Sequence, residues 1–216
     1  MSQPTSLTEA LAAHQLELPG PQVEQLFRYC ELLWQWNEKL NLTRHTDFEK
    51  FVARDVIDSL ALTRLMQPGE EVLDVGSGGG VPGILLAILR PDLSVSLSES
   101  IGKKAQALVA ILEGLGLPVA VHACRAEEVV DQFRFDSLVA RAVGPLDKML
   151  VWFQPHWLSI GRLLAVKGPR WTEELAEVQR HRYFKRLDVR CVAEYPMPGT
   201  SSQSVILEIR SKPSEG

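Results

Sequence analysis

Between residues 23 and 37, apolar side chains return at helical spacing. Val23, Leu26, Phe27, Cys30, Leu33 and Trp34 form one stripe, Asn37 closes it, and mostly polar residues lie between. Pro19, Gly20 and Pro21 mark a turn ahead of this helix, with a short helical candidate before them, and Asn41-Leu42-Thr43 ends it. A second helix is predicted from Asp47, a suitable cap, carrying Phe48, Phe51, Val52 and Leu60 until Pro68-Gly69. From residue 71 the texture changes. Short apolar runs at 72–75, 94–99, 119–124, 135–140 and 162–167 read as strands. Helical patterns at 82–89, 102–115, 145–158 and 172–181 alternate with them. Two β-rich runs, 185–195 and 204–210, close the chain with no long helix between them.

Strand–helix alternation implies right-handed crossovers and a mainly parallel sheet. The expected fold class is therefore α/β and Rossmann-like. It has a mainly parallel seven-stranded sheet, an antiparallel C-terminal strand and added N-terminal helices. Residues 1–68 are expected as a helical extension packed on the core, and 69–216 as one compact unit.

Composition narrows the class. With 216 residues, 45% hydrophobic and 23% charged, the chain is an ordinary globular one. The longest apolar runs are far too short to span a bilayer, and the first twenty residues lack a basic start followed by an apolar run. Cys30, Cys124 and Cys191 are scattered and odd in number, which suits reduced thiols rather than a disulfide framework or a metal site. A cytoplasmic protein with no membrane contact and no metal is expected. The net charge is −4, yet residues 141–216 carry 12 basic and 8 acidic side chains within an acidic protein. That asymmetry suits an anionic partner.

The chemistry centres on residues 73–83, Leu-Asp-Val-Gly-Ser-Gly-Gly-Gly-Val-Pro-Gly. A strand runs into five glycines within eight residues, then into a helix whose first N–H groups are free. A nucleoside cofactor fits over such a loop at the carboxyl end of the first strand. Gly78, Gly80 and Gly83 satisfy G-x-G-x-x-G, a weak signal alone. Gly76, Gly78 and Gly80 give G-x-G-x-G directly after Asp74. An acid there suits the cationic sulfonium of S-adenosylmethionine (SAM) and would oppose a pyrophosphate. The cofactor reading is therefore SAM, and the fold a class I SAM-dependent methyltransferase. Glu99 ends the second strand, where a carboxylate can accept from both ribose hydroxyls. Ala126 and Glu127 follow the third strand, where the adenine would lie.

Arg141 and Lys167 follow the fourth and fifth strands at the same edge, two cations suited to RNA phosphate or to the SAM carboxylate. Asn41, Arg54 and Asp58 on the N-terminal helices can reach over the cofactor mouth, and Lys103 and Lys104 open a helix beside it. Arg180, His181, Arg182, Lys185, Arg186 and Arg190 form a basic run. No Asp/Asn-Pro-Pro-Tyr/Phe sequence follows the fourth strand, as many exocyclic-amine methyltransferases require. No cysteine follows the fourth or fifth strand either, which disfavours covalent pyrimidine chemistry. The residues leave several alternatives open: methylation of a small molecule or protein, a non-catalytic rRNA-binding assembly factor, or an NAD-linked oxidoreductase.

The chain resembles the RsmG family, also called GidB. The resemblance rests on Trp36-Asn37, Asn41-Leu42-Thr43, Ile57-Asp58-Ser59, the loop at 74–83, Ser100, Gly102-Lys103-Lys104, Ala126-Glu127, Arg141-Ala142 and Lys167-Gly168. It implies SAM-dependent methylation of N7 of a guanine in the 530-loop region, position 527, of bacterial 16S rRNA. The substrate would be that rRNA or the small ribosomal subunit, and the protein a monomer. It implies cofactor contacts at Gly76, Val81, Ala126, Glu127 and Arg141, with Lys167 and the N-terminal segment on the substrate side. Two positions depart from the family pattern. Glu99 stands where Asp is common, and Asp55 follows Arg54 where many members have Arg-His.

Overall fold

The computed structural model describes residues 6–212, so the first residues of the expected N-terminal helix lie outside it. α1 (Leu7–Ala13) is capped by Ser6, whose Oγ accepts from the Glu9 N–H at 3.2 Å. α2 (Gly20–Asn37) buries Leu26, Cys30 and Leu33 of the stripe read from the sequence, adds Tyr29, which was not read as part of it, and leaves Phe27 exposed. α3 (Phe48–Lys50) starts at Asp47, whose carboxylate accepts from the Lys50 N–H. It runs through a π-helical stretch (Phe51–Val56) into α4 (Ile57–Thr63). Then follow β1 (Glu71–Val75), α5 (Gly83–Leu89), β2 (Ser94–Ser98), α6 (Gly102–Leu115), β3 (Ala120–His122) and α7 (Ala126–Val130). β4 (Phe135–Arg141), α8 (Leu146–Trp152), β5 (Ile160–Lys167), α9 (Trp171–Arg180), β6 (Leu187–Pro196) and β7 (Gln203–Ser211) complete the described chain.

The strands form one sheet in the order β3-β2-β1-β4-β5-β7-β6. β1 to β5 pair in parallel, and β7 is antiparallel to both β5 and β6. This is the Rossmann-like sheet with an antiparallel C-terminal strand expected from the sequence. The chain moves outward from β1 in both directions, through β2 on one side and β4 on the other. That makes the crevice above β1 and β4 the switch point where α/β proteins bind ligands.

Both sheet faces are covered, which is why the strands read as near-continuous apolar runs. Val72, Val139, Leu164, Val166 and Ile206 face α2, α4, α5 and α6 in one cluster. Leu73, Val75, Leu138, Ala140, Leu163 and Leu207 face α7, α8 and α9 in the other. The N-terminal helices share the first cluster with the sheet: Leu26, Leu33, Phe51, Val56 and Leu62 are fully buried in it.

Several boundaries differ from expectation. The helix predicted at 145–158 breaks after Trp152 into a 3-10 turn (Gln154–Ser159), because Pro155 has no N–H to continue the α pattern. The strand predicted from 185 begins at Leu187, after a 3-10 turn (Arg182–Arg186). β3 is three residues rather than six. α7 has no counterpart among the helices expected from the sequence, and Glu128 Oε1 accepts from the Arg125 N–H at its start. The side chain of Arg182, in the predicted basic run, lies outside the described residues. Among the described residues no helix is long and apolar enough to cross a membrane.

Candidate functional site

β1 delivers the glycine loop to the carboxyl edge of the sheet. Gly76 and Gly78 have φ of +63° and +56°, left-handed backbone that glycine adopts without strain. A Cβ on Gly78 would meet only the Gly76 carbonyl, at 3.9 Å, so its cavity side is open. Gly83 is different. A Cβ there would lie 2.2 Å from Leu97 Cδ2 and 2.7 Å from Asp74 Oδ2, so this glycine lets α5 press onto the sheet. Gly80 likewise packs against Ile84 and Leu108.

Asp74 lies beneath the loop. Its Oδ2 accepts from the Gly83 N–H at 3.0 Å, while its buried Oδ1 has no partner among the described residues. Burial pushes its carboxyl up to about 7, against the pull of the Gly83 N–H. The residue holds the start of α5 and does not line the cleft, although the sequence placed it beside the cofactor. Glu99 sits where the sequence placed it. Its Oε2 accepts from the Gly78 N–H at 3.0 Å and its Oε1 from the Ile101 N–H at 2.8 Å.

Three neighbouring cavities that share lining residues make up the cleft. The middle one, about 320 Å³, is lined by Gly76, Gly78, Val81, Glu99 and Lys104, with Leu33, Leu42 and Thr43 from the N-terminal side. It shares Gly76 and Val143 with a cavity of about 220 Å³ lined by Ala126, Glu127, Trp152 and Ser98, whose buried Oγ has no partner among the described residues. It shares Arg141 and Ala142 with a cavity of about 760 Å³ lined by His45, Arg54, Asp58, Lys167, Arg170 and Ser204. The sequence-predicted residues are thus largely brought together. Lys104, read from sequence as a substrate contact, stands on the glycine-loop side. Asn41 and Lys103 are exposed and line none of the three cavities.

α2 buttresses the loop. The Tyr29 hydroxyl donates to the Gly79 carbonyl at 2.8 Å, and Leu33 approaches Gly79 closely. Lys167 Nζ donates to the Gly144 carbonyl and to Glu174 Oε2, both at 2.7 Å, and Glu174 also accepts from the Leu146 N–H. The lysine therefore ties the loop after β4 to α9 while bordering the large cavity.

Arg141 is the hinge of the cleft. Its Nη2 lies 2.6 Å from Asp55 Oδ1 and its Nη1 3.2 Å from Asp58 Oδ2. Burial alone would lower its basicity, but the two carboxylates more than offset this and hold it charged. Burial lifts the Asp58 carboxyl above the ordinary range despite Arg141. The Tyr195 hydroxyl, from β6, donates to Asp58 Oδ1 at 2.8 Å, and burial pushes that hydroxyl's pKa up. His45 Nδ1 lies 2.9 Å from Asp55 Oδ1.

His45 and Tyr195 were not singled out from sequence, and Asp55 was noted only as a departure from a family pattern. Asp55 carried a local signal, since it falls four residues after Phe51 on an otherwise apolar buried stripe. Tyr195 carried none, because its partner lies 137 residues away. Among the described residues no group of His, Cys, Asp and Glu could hold a metal ion.

The family described as GidB: rRNA small subunit methyltransferase G matches residues 22–198. The chain is 50% identical over 188 residues to "Ribosomal RNA small subunit methyltransferase G" of Rhodopirellula baltica, covering 87% of this chain and 81% of the relative. It is 42% identical over 184 residues to the protein of the same name from Sorangium cellulosum, covering 82% and 77%. Solved structures share the fold at low identity. MtNAS in complex with MTA and tNA superposes with a TM-score of 0.56 at 15% identity, covering 97% of this chain and 83% of that one. A precorrin-6y C5,15-methyltransferase from Geobacter metallireducens gives 0.52 at 15% identity, covering 72% and 87%.

Proposed function

The chain belongs to the GidB family, rRNA small subunit methyltransferase G, and from that premise we propose that it methylates small-subunit ribosomal RNA with SAM as donor. The finer reading is transfer to N7 of a guanine in the 530-loop region, position 527, of 16S rRNA. The observation that supports rRNA methylation is the row of three cavities with shared lining residues. One end offers glycine backbone, a carboxylate and an unpartnered hydroxyl, the other a wide cavity bordered by cations.

The residues present fit SAM. Gly76, Gly78 and Val81 would hold it against the loop, with Glu99 beside its hydroxyls and Ala126, Glu127 and the buried Ser98 Oγ at the nucleobase end. When bound, SAM supplies an electrophilic methyl group on a sulfonium. Guanine N7 carries a lone pair and no proton, so the acceptor needs no general base. The chain's contribution is then alignment, which can be worth roughly 7–11 kcal/mol. Arg141, at the junction of the two cavities, and Lys167, on the wall of the large one, are the groups proposed to position the reactants. Arg54 borders the same cavity and suits an RNA phosphate.

The test is transfer of a labelled methyl group from SAM to small-subunit particles from a strain lacking this protein, followed by nucleoside analysis. Label in 7-methylguanosine at one site is the expected result. Label in another nucleoside overturns the N7 reading, and no label in RNA despite SAM binding overturns the function.

A further inference from the structure

Among the polar side chains that border the large cavity, His45 is one that the mechanism above leaves without a task. His45 sits on the segment between α2 and α3, a stretch fixed at several points. Asn37 Oδ1 accepts from the Leu42 and Thr43 N–H groups at 2.8 and 2.9 Å. Thr43 Oγ1 accepts from the His45 N–H at 3.0 Å, and the Trp34 indole N–H donates to the His45 carbonyl at 2.9 Å. The ring is fixed as well, by the 2.9 Å contact of Nδ1 with Asp55 Oδ1. Asp55 is in turn 1% exposed and held by Arg141. A surface loop gains little from so many restraints on one histidine unless the ring's direction matters.

The ring borders the large cavity, and no described residue partners its Nε2. With Asp55 accepting at Nδ1, the tautomer is set and Nε2 is the ring atom left for a ligand. In that tautomer Nε2 carries a lone pair and accepts, and the ring and exocyclic N–H groups of a guanine are donors it can take. The same carboxylate orients Arg141 at the cofactor junction, so Asp55 sets the spacing between the two sides of the cleft.

We infer that His45 contacts the substrate, its Nε2 hydrogen-bonding the target guanine, and that Asp55 is the positioning residue that aims it. The inference rests on the rRNA-methylation reading above. Asn in place of His keeps a group at the Nδ1 position and loses Nε2, whereas Gln places a polar group near Nε2. The pair therefore separates a structural role from a substrate contact.

The experiment measures SAM-dependent methylation of small-subunit particles by His45→Ala, His45→Asn, His45→Gln and the unaltered chain, with SAM affinity and thermal unfolding measured on each. The expected result is a loss of about tenfold or more in kcat/KM for RNA in His45→Ala and His45→Asn. His45→Gln should recover part of it, with SAM affinity and unfolding temperature unchanged. The salt dependence of RNA affinity should keep its slope, since no phosphate contact is removed. Full activity in His45→Asn would make the Asp55 contact merely structural and overturn the inference. SAM affinity falling in step with turnover would place His45 on the cofactor side and do the same. A flattened salt slope would assign the ring to a phosphate and overturn the base contact. An unaltered chain that binds SAM but methylates no RNA would overturn the function itself, an outcome distinct from variants that match an active parent.

Discussion

Asp55 Oδ1 and Arg141 Nη2 meet at 2.6 Å, joining the π-helical stretch of the N-terminal segment to the carboxyl end of β4. The contact is sheltered, with the Asp55 side chain 1% and the Arg141 side chain 18% exposed. It is incompletely satisfied: Asp55 Oδ2 and Arg141 Nε have no partner among the described residues. Desolvating both charges offsets much of their attraction, so the pair contributes geometry more than net stability. It sets where the N-terminal helices stand relative to the glycine loop, and hence the width of the cleft.

Removing Arg141 tests this directly. Arg141→Ala leaves Asp55 and Asp58 buried without their common cation. Breaking a buried pair in this way costs roughly 3 kcal/mol, which urea unfolding at neutral pH would read as a lower midpoint. The cost should shrink as pH falls, because Asp58, whose carboxyl burial already lifts, takes up a proton and loses its uncompensated charge. A variant whose stability matches the parent at every pH would show that the carboxylates are solvated.

Asp74 gives a second pH effect. Its folded pKa of about 7 is above the ordinary value of 3.8, so the folded state binds the proton more tightly than the unfolded chain. Its contribution to stability is therefore present below about pH 4 and lost as pH rises towards 7. The full difference is of order 4 kcal/mol. Asp74→Asn keeps an acceptor for the Gly83 N–H and cannot ionise. The stability difference between parent and variant should therefore move in the variant's favour between pH 4 and 7, then level off. Parallel stability curves across that window would place the carboxyl near its ordinary pKa.

Two glycines of the loop should separate folding from binding. Gly83→Ala drives a methyl into Leu97 and the Asp74 carboxylate and should cost about 1–3 kcal/mol, seen in the unfolding midpoint. Gly78→Ala meets nothing closer than 3.9 Å, so its stability loss should be limited to backbone strain of about 1–2 kcal/mol. Its methyl group instead intrudes on the cleft, and SAM affinity by calorimetry should fall more steeply than stability. Equal SAM affinity in Gly78→Ala and the parent would move the cofactor off this loop.

Much of this site could be read from the chain because its main parts are local. The strand, the glycines and the helix that follow one another at 71–89 are contiguous, and Glu99, Arg141 and Lys167 each end a strand of one parallel sheet. Strand ends of a parallel sheet converge on one edge whatever the loop lengths. Contacts between distant elements were not legible. Tyr195 reaches Asp58 because β6 lies against the α4 side of the sheet, a consequence of β7 inserting between β5 and β6. Asp74 matched the expected motif, yet its carboxylate faces inward, since period-2 alternation on β1 buries it under α5.

Arg170 is exposed at the rim of the large cavity, with no ion-pair partner among the described residues. Arg170→Ala should leave stability and SAM affinity unchanged and weaken RNA binding. If it neutralises one phosphate, the slope of log affinity against log salt should fall by about 0.7–0.9. An unchanged slope would put the RNA backbone elsewhere.

Ala142 is a strained point within the site; among the described residues Gln15, away from the cleft, shares its left-handed φ. Its φ of +56° is left-handed, unusual for a residue with a Cβ, and it lies directly after Arg141 where the loop cavity and the large cavity meet. Left-handed backbone costs a non-glycine residue about 1–2 kcal/mol, part of which glycine would give back through its freer unfolded chain. Ala142→Gly should therefore raise stability by up to about 1 kcal/mol, or about 2–4 °C in unfolding temperature for a chain of this size. Strain of this kind persists where the surroundings hold it, and Ala142 lines both cavities next to Arg141. The added freedom should lower methyl-transfer turnover even as the protein becomes more stable. A variant that gains stability and keeps full turnover would show that the strain is incidental. One that loses stability would show that the methyl group of Ala142 packs in place and that its contacts outweigh the backbone cost.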